Sequence, residues 1–585
     1  MNINNIADNI DMNTIIESCT KHLEMLKLKL FEKTDGLFDR YKVFISVGYK
    51  SCRASVVTGV GNTIDSAYEA AYGKAVKRIK YLKMYPDWFK LDCVVREDIL
   101  SIDEFIDLSQ KTWKGFMQYG ICFDQNYNFA FLGQEVNAAS FIKYNKCPKY
   151  THHKNEKIDS MVGILREGMP THFKCAINFD NINAHLKKTR GQDINIKDLK
   201  TDKLIVFDTI SFFCDKENVY EIEDRQSYRT RRKIYRFDTN FIKEILSDTS
   251  EYLAGTVREN GRFIYGYFPC FDNQIQGYNC IRHSHGVFAL SDAYSVTKNP
   301  LLLEAMAKIL DYLKNELLYY VDDKAYAVDY ENDNEIKLGA LSLALLAIAK
   351  YMEAAGPDEK SIQIMKSLGN GIISMQNEDT GKFFHVWRYP DLEKVDEFRI
   401  IYYAGEAAFA LMKLYSFDKN EKWLNAVKKA FDFFIKNDYW QYSDHWLAYC
   451  TNELTSVADD DEYYKFGLKN AFLRLDFIEN RITAYHTFLE LLCATYKMVK
   501  NIENRGKSYL LHDYDIERLK RAIDSRVDRQ LNSVFFPEIA MYFKSPQKIL
   551  NGIFVRQDNF RTRNDDVSHH ISGLSLYLKE ILNYM

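Results

Sequence analysis

Histidine is concentrated in this chain beyond what a random scatter would give. Six of its 13 histidines fall within a few short windows. The windows read Arg282-His283-Ser284-His285, Lys337-Leu338-Gly339, Tyr402-Tyr403-Ala404-Gly405-Glu406, Asp444-His445-Trp446, Tyr485-His486 and Asp565-Asp566-Val567-Ser568-His569-His570. A loop adds His385, Trp387 and Arg388, while Tyr278, Asn279 and Trp440 lie just ahead of two windows. Two chemistries use such a set. In the first, His283, His486 or Tyr403 takes or returns a proton alpha to a uronate carboxylate. Arg282 or Arg388 neutralises that carboxylate and stabilises the enolate-like charge, giving an epimerase, or a lyase if a substituent leaves. In the second, two carboxylates flank a glycosidic bond, with Glu406, Asp444, Asp565 and Asp566 as candidates. Tyr278, Arg282, His285, His385, Trp387, Arg388, Tyr402, His445, Trp446, Tyr485 and His569 are expected to bind the substrate. Among these, Trp and Tyr rings suit the apolar faces of pyranoses.

Other motifs offer less. His283 and His285 are two residues apart, and such positions do not share a helix face. Asp565-Asp566 and His569-His570 mix ligand types suited to zinc or manganese. Pairs four apart, such as Asp566 and His570, are more often hydrogen-bonded, so no cofactor is expected, although a divalent metal is compatible. Gly59-Val60-Gly61 ahead of a helix could cradle an anion. With no third glycine and no P-loop lysine, an ordinary strand–turn–helix is the expectation. His152-His153 lies in a polar stretch, 146–170, expected to be a surface loop. Gln134-Glu135 and Arg190-Gly191 are polar spots in apolar surroundings, with no role assigned.

Two regions must position these residues. Residues 1–237 mix helix and strand patterns: helices over Ile15–Phe31 and Ile64–Leu82, and strands over Tyr41–Val47, Cys52–Thr58, Leu91–Val95 and Lys203–Phe213. From 238 to 585 strand signals fade and an internal repeat emerges. Residues 288–311 match 409–432 at 11 of 24 positions, including Phe288-Ala289-Leu290 with Phe409-Ala410-Leu411 and Lys298-Asn299 with Lys419-Asn420. Weaker copies extend it. Charged amphipathic helices (239–254, 300–318, 359–376, 420–437, 461–474, 513–531) alternate with small-residue helices beginning near His283, Lys337, Tyr402, Asp444, Tyr485 and Ser568. Six such hairpins predict a closed α/α toroid, with the histidine windows at the starts of its inner helices. Long loops, 257–282, 319–336, 377–399 and 532–568, gather on that face, where binding residues tend to sit. The fold expected is therefore α-dominated, an N-terminal α+β domain of unknown role followed by an (α/α)6 toroid.

This architecture resembles the (α/α)6 barrel of several carbohydrate-active enzymes and sugar epimerases, over the C-terminal 60% of the chain. Tyr485-His486-Thr487 looks like the Tyr-His-Thr segment of the glucuronyl C5-epimerases, and Tyr403 to Leu411 sits where that family has an aromatic-rich inner helix. N-acylglucosamine 2-epimerases similarly place histidines at inner-helix starts. The resemblance implies a glycoside hydrolase, uronate lyase or sugar epimerase acting on an oligo- or polysaccharide. Lanthionine cyclases and prenyl-transfer proteins use related toroids. Their cyclase zinc site needs Cys-His elements, of which only Cys280, near His283, has a counterpart. A metal-dependent peptide- or lipid-modifying toroid and a non-catalytic scaffold are the alternatives.

Composition narrows the field. With 46% hydrophobic and 14% aromatic residues, the chain has ample core material, which excludes a disordered or fibrous protein. The 78 basic and 81 acidic residues leave a net charge of −3, with no excess to suggest nucleic acid or a membrane surface. The 11 cysteines include no CxxC pair, and the apolar run Leu338–Ala349 is too short to span a bilayer. A cytoplasmic protein with reduced thiols and no membrane insertion is expected.

Overall fold

The computed structural model of the protein describes residues 12–111, 119–136, 141–144, 175–199, 201–223, 230–481 and 483–584. His152, His153 and the stretch 146–170 lie outside the described residues. The first helix, α1 (Met12–Thr34), buries Ile15, Cys19, Leu23, Leu26 and Leu30, a stripe at helical period. It is followed by β1 (Tyr41–Gly48), β2 (Ser55–Gly61), α2 (Ile64–Leu82), β3 (Trp88–Ser101), α3 (Ile102–Lys111), β4 (Gly120–Cys122) and β5 (Ala130–Phe131). Then come the pair β6 (Ile142–Tyr144) and β7 (Cys175–Ile177), α4 (Phe179–His185), β8 (Lys203–Cys214) and β9 (Val219–Glu221). The main sheet has the order β2-β1-β3-β8-β4-β5, with β9 on β8, and each pair is antiparallel. Alternation along the strands sends Val43, Ile45, Leu91, Cys93 and Phe212 beneath α1 and α2.

The glycines ahead of α2 serve packing. A Cβ on Gly59 would stand 2.0 Å from the Ala67 carbonyl oxygen, and one on Gly61 2.1 Å from Ser66 Oγ. They let the helix lie against β2, and Thr63 caps it with a reciprocal Ser66 contact. This is the strand–turn–helix, with the helix itself filling the space an anion would need.

The remaining helices build the toroid. Inner helices are α6 (Cys280–Thr297), α8 (Leu338–Ala355), α10 (Tyr403–Asp418), α12 (His445–Val457), α14 (Thr487–Asn504) and α16 (Asn564–Leu576). Outer helices are α5 (Thr239–Gly255), α7 (Pro300–Tyr312), α9 (Glu359–Ser374), α11 (Glu421–Lys436), α13 (Asp461–Phe472) and α15 (Ile516–Leu531). Each inner helix packs on the next, and α16 returns to α6, so the ring closes. The outer helices lie over it, α5 across α6 and α16, α7 across α6 and α8, α9 across α8 and α10. One continuous apolar core runs from Ile242 to Leu578. Inner helices have neighbours on every side, which is why they are rich in Ala, Leu, Gly and Ser. Leu338–Ala355 is long and apolar enough to cross a membrane, with mean hydropathy 1.5, but 72% of it is buried in the ring.

The sequence repeat is a repeat of capping. Lys298 and Lys419 end their inner helices in the left-handed conformation, and Asn299 and Asn420 cap the outer helices that follow. The stretches 319–336 and 377–399, expected as loops, carry strands of a five-stranded sheet, and the last inner helix also departs from expectation. It begins at Asn564 rather than near Ser568, with Asp565 and Asp566 in a first turn that favours negative charge.

The loop between α15 and α16 joins the two regions. It lays Met541 and Tyr542 on the sheet face opposite α1 and α2, among Phe44, Val56, Trp88, Phe207 and Phe213. Tyr542 hydroxyl pairs with Ser46 Oγ at 2.8 Å, and Met541 oxygen accepts from the Ala54 amide at 2.7 Å. Arg232 grips Glu538 bidentately through Nε and Nη2, at 3.0 and 2.8 Å.

Candidate active site

At the start of the inner ring three histidines converge. The rings of His285 on α6 and His569 on α16 have centroids 4.2 Å apart, and His445 on α12 lies 5.1 Å from His569. Trp446 packs against His285 at 5.6 Å and His445 at 4.8 Å. His569 Nδ1 lies 2.7 Å from Glu490 Oε1 on α14, and the other carboxylate oxygen accepts from Tyr449 hydroxyl at 2.6 Å. Glu490 is wholly buried, whereas 20% of the His569 side chain is exposed. Tyr402 and Tyr485 share a hydrogen bond of 2.7 Å beside His445. Tyr485 holds a φ of +38°, a strained conformation of the kind that clusters at functional sites.

The electrostatics divide these groups. Burial would lower His569, but the Glu490 carboxylate, with Asp565 and Asp566, more than offsets it and raises its pKa. Burial raises Glu490 in turn, against the pull of His569 and Tyr449. His285 and His445 have no carboxylate at hydrogen-bonding distance, and burial drives both well below 6.5. Both ring nitrogens of His445 and Nε2 of His285 are buried without a hydrogen bond, with His445 Nδ1 3.7 Å from Asp444 Oδ1. Such orphaned groups cost stability, and a functional role is one reason to retain them. Their surroundings thus push one imidazole toward its protonated form and two toward the neutral form.

A rim of ion pairs borders the cluster. Arg282 binds Asp565 at 2.7 Å and also contacts Tyr265 hydroxyl. Arg563 reaches Asp565 at 2.5 Å, and Arg561 reaches Asp566 at 3.0 Å. Burial would raise Asp565, but Arg282 and Arg563 hold it well below the usual carboxylate range. Burial and the Asp565 charge push Asp566 upward. A cavity of about 430 Å³ adjoins this rim at Arg563, Asn564 and Tyr252.

The other expected residues are placed elsewhere. His283 turns outward: Nε2 bonds the Ile309 carbonyl at 2.9 Å, Nδ1 meets Tyr278 hydroxyl at 2.7 Å, and burial lowers its pKa to about 4. Both of its nitrogens and Tyr278 are therefore spent on packing. His486 faces α15, with Nε2 3.0 Å from Ser533 Oγ, one layer behind the cluster beside His570. His385 accepts from the Arg399 amide at 3.0 Å and lies against Tyr403. Trp387 is buried in a short strand, Val386–Arg388, paired with Glu335–Lys337, and Arg388, half exposed, lies 3.8 Å from Glu393. Asp444 caps α12 through the Trp446 amide at 2.9 Å. Its free oxygen occupies the space of a Cβ on Gly405, just as Glu406 Oε2 occupies that of Gly339, each 2.2 Å from the hypothetical carbon. Burial raises Asp444 well above its usual range and Glu406 to about 8. The two carboxyls are thus packed against neighbouring inner helices. The structure thus brings His285, His445 and His569 of these windows together and turns His283 and His486 away from them.

Glu490, Tyr449, Arg561 and Arg563 escaped the sequence reading. Glu490 had a signal, a lone acid inside the apolar run Phe488-Leu489-Glu490-Leu491-Leu492. Tyr449 lies four residues after His445, on the same helix face. The ligand atoms of His445, Glu490 and His569 lie within 4.8 Å of one another, close enough for a cation to draw together. His569 Nδ1 is engaged with Glu490, a carboxylate contact common to proton relays and to metal-bound imidazoles.

No family model and no curated protein matches the chain. Among solved structures it is similar to cellobiose 2-epimerase from Bacillus thermoamylovorans B4167, at 12% identity and a TM-score of 0.45, over 58% of this chain and 100% of that one. A D-mannose isomerase matches at 11% identity and a TM-score of 0.45, over 59% and 100%. An unsaturated glucuronyl hydrolase specific for heparin matches at 10% and 0.42, over 58% and 97%.

Proposed function

We propose that the protein is a carbohydrate-active enzyme that epimerises or isomerises a sugar by moving a proton at the carbon next to a carbonyl. The observation that carries this reading is a cluster of three adjacent histidines, one bonded to a buried carboxylate and two with buried nitrogens lacking a hydrogen bond, an asymmetry suited to an acid–base pair. Neutral His445 or His285 takes the carbon-bound proton. His569, charged through Glu490, donates to the carbonyl oxygen and stabilises the enediolate as it forms. Return of the proton to the other face gives the epimer, and its return to the neighbouring carbon gives the isomer.

The rim supports a neutral sugar. Arg282 is committed to Asp565 and Tyr265, and Arg388 lies apart, so the guanidinium groups foreseen for a uronate carboxylate are engaged elsewhere. Glu406 and Asp444, packed on glycine backbone, are poorly set for glycoside hydrolysis. Half-buried Tyr402, Tyr485 and Trp440 supply aromatic faces for a pyranose ring. Nine of the 11 cysteines are free thiols, which supports a reducing, cytoplasmic setting.

The test is a panel of neutral reducing mono- and disaccharides incubated in heavy water. Deuterium at the carbon beside the carbonyl is the expected result. Turnover confined to uronate oligosaccharides, with no such exchange, would overturn the proposal.

A further inference from the structure

The fold brings together the two polar spots that the toroid leaves unused. Glu135, in the turn after β5, accepts from Arg190 Nη2 at 3.1 Å and from the Leu132 amide at 2.9 Å, and lies 3.2 Å from His185 Nε2. His185 Nδ1 in turn lies 3.2 Å from Arg53 Nη1, just before β2. A guanidinium only donates, so Nδ1 accepts and Nε2 carries the proton toward Glu135. Burial, only partly countered by Glu135, lowers the His185 pKa, in keeping with a neutral ring.

The chain Arg53–His185–Glu135–Arg190 therefore sets two guanidinium groups against one carboxylate. Arg190 is nine-tenths buried, and its Nε is buried without a partner. Arg53 is half buried, with an imidazole where a carboxylate would ordinarily stand. Lys74, exposed at the solvent edge, bonds the Thr58 carbonyl at 2.7 Å and adds a positive charge that Arg190 feels. Lys90 and Asp92, buried in the sheet, pair with each other and contribute no net charge. Excess charge in so dry a place is costly unless a counter-charge arrives.

We propose that this cluster binds a small oxyanion, a phosphoryl or dicarboxylate group, gripped by Arg53 and Arg190 Nε with Lys74 at the entrance. The site lies where the N-terminal sheet meets the toroid, because the Ala54 amide next to Arg53 holds Met541 of the α15–α16 loop. It belongs to the N-terminal region and does not depend on the sugar reading.

The test is thermal unfolding of the full chain in inorganic phosphate and in malonate, each against sodium chloride of matched ionic strength. A saturable rise of about a few degrees with either oxyanion is expected, and the two arms tell phosphoryl from dicarboxylate recognition. Arg53→Gln should abolish the rise, Lys74→Gln should weaken the apparent affinity several-fold, and His569→Ala should leave it intact. If Arg53→Gln does not fold, Lys74→Gln decides. An equal response in chloride, an unchanged response in Arg53→Gln or Lys74→Gln, or its loss in His569→Ala would overturn the proposal.

Discussion

Glu490→Gln isolates the carboxylate while keeping the shape of the side chain. In the native protein Glu490 is what separates His569 from its neighbours. Burial is the main cause that takes His283 and His385 to about 4, and the sole one that takes His570 to about 3. Without the carboxylate at 2.7 Å, His569 should join them below 6.5 and lose its proton across the working range. Loss of a positioned general acid typically costs about 10²–10⁴ in rate, or roughly 3–5 kcal/mol of barrier. The amide can still bond Tyr449 and His569, so the fold should lose only about 1–2 kcal/mol. The pH dependence has a definite sign. A histidine with a raised folded pKa contributes stability fully present below about 6.5, which is lost as pH rises through the folded value. The raised Glu490 acts in the same direction. The stability advantage of the native protein over Glu490→Gln should therefore be largest at low pH and shrink toward alkaline pH. Exchange of the carbon-bound proton, followed from pH 5 to 9 beside urea melts, measures both effects. A variant within about threefold of the native rate, with an unchanged pH profile, would refute the assignment.

Three further outcomes follow from the same geometry. His445→Phe removes two orphaned nitrogens, so unfolding should show equal or greater stability while turnover falls by about 10² or more. His283→Ala breaks two satisfied hydrogen bonds and leaves a cavity. It should cost about 2–4 kcal/mol in denaturant melts, with near-native turnover per folded molecule. Glu406 is held neutral by burial up to about 8, so native stability should fall as pH rises from its unfolded value to that point. The slope is at most about 1.4 kcal/mol per pH unit, and urea melts at pH 5 and 8 should show Glu406→Gln without it.

The toroid was legible because its signals are local and repeated. Six amphipathic outer helices, six small-residue inner helices and the Lys-Asn cap at 298–299 and 419–420 each declare themselves within a few residues. The histidine cluster was legible for the same reason, since histidines crowd the inner-helix starts. The roles were not, because they depend on which way each ring turns. His283 and His285 stand two positions apart on one helix. One turns outward to Ile309, and the other turns inward to His569. Glu490 is a single acid in an apolar run, and only the ring's closure shows that it faces His569 from the neighbouring helix. Contacts of this kind join residues far apart in sequence, and no local pattern encodes them.

The α15–α16 loop explains why the N-terminal region belongs to the catalytic problem. One end of the loop is fixed to the sheet by Tyr542 on Ser46 and by Met541 on Ala54. Glu538 is clamped there too, by Arg232. The other end carries Arg561 and Arg563 into the rim and runs straight into α16, where Asp565, Asp566 and His569 lie. Neither end is free to move without the other. The rim is also a chain of paired charges, each arginine fixed by an aspartate that another arginine shares or flanks. Such a chain resists opening, because breaking it for an incoming carboxylate would strand a buried aspartate. The same loop thus ties the oxyanion cluster at Arg53 to the histidines by continuous, packed structure.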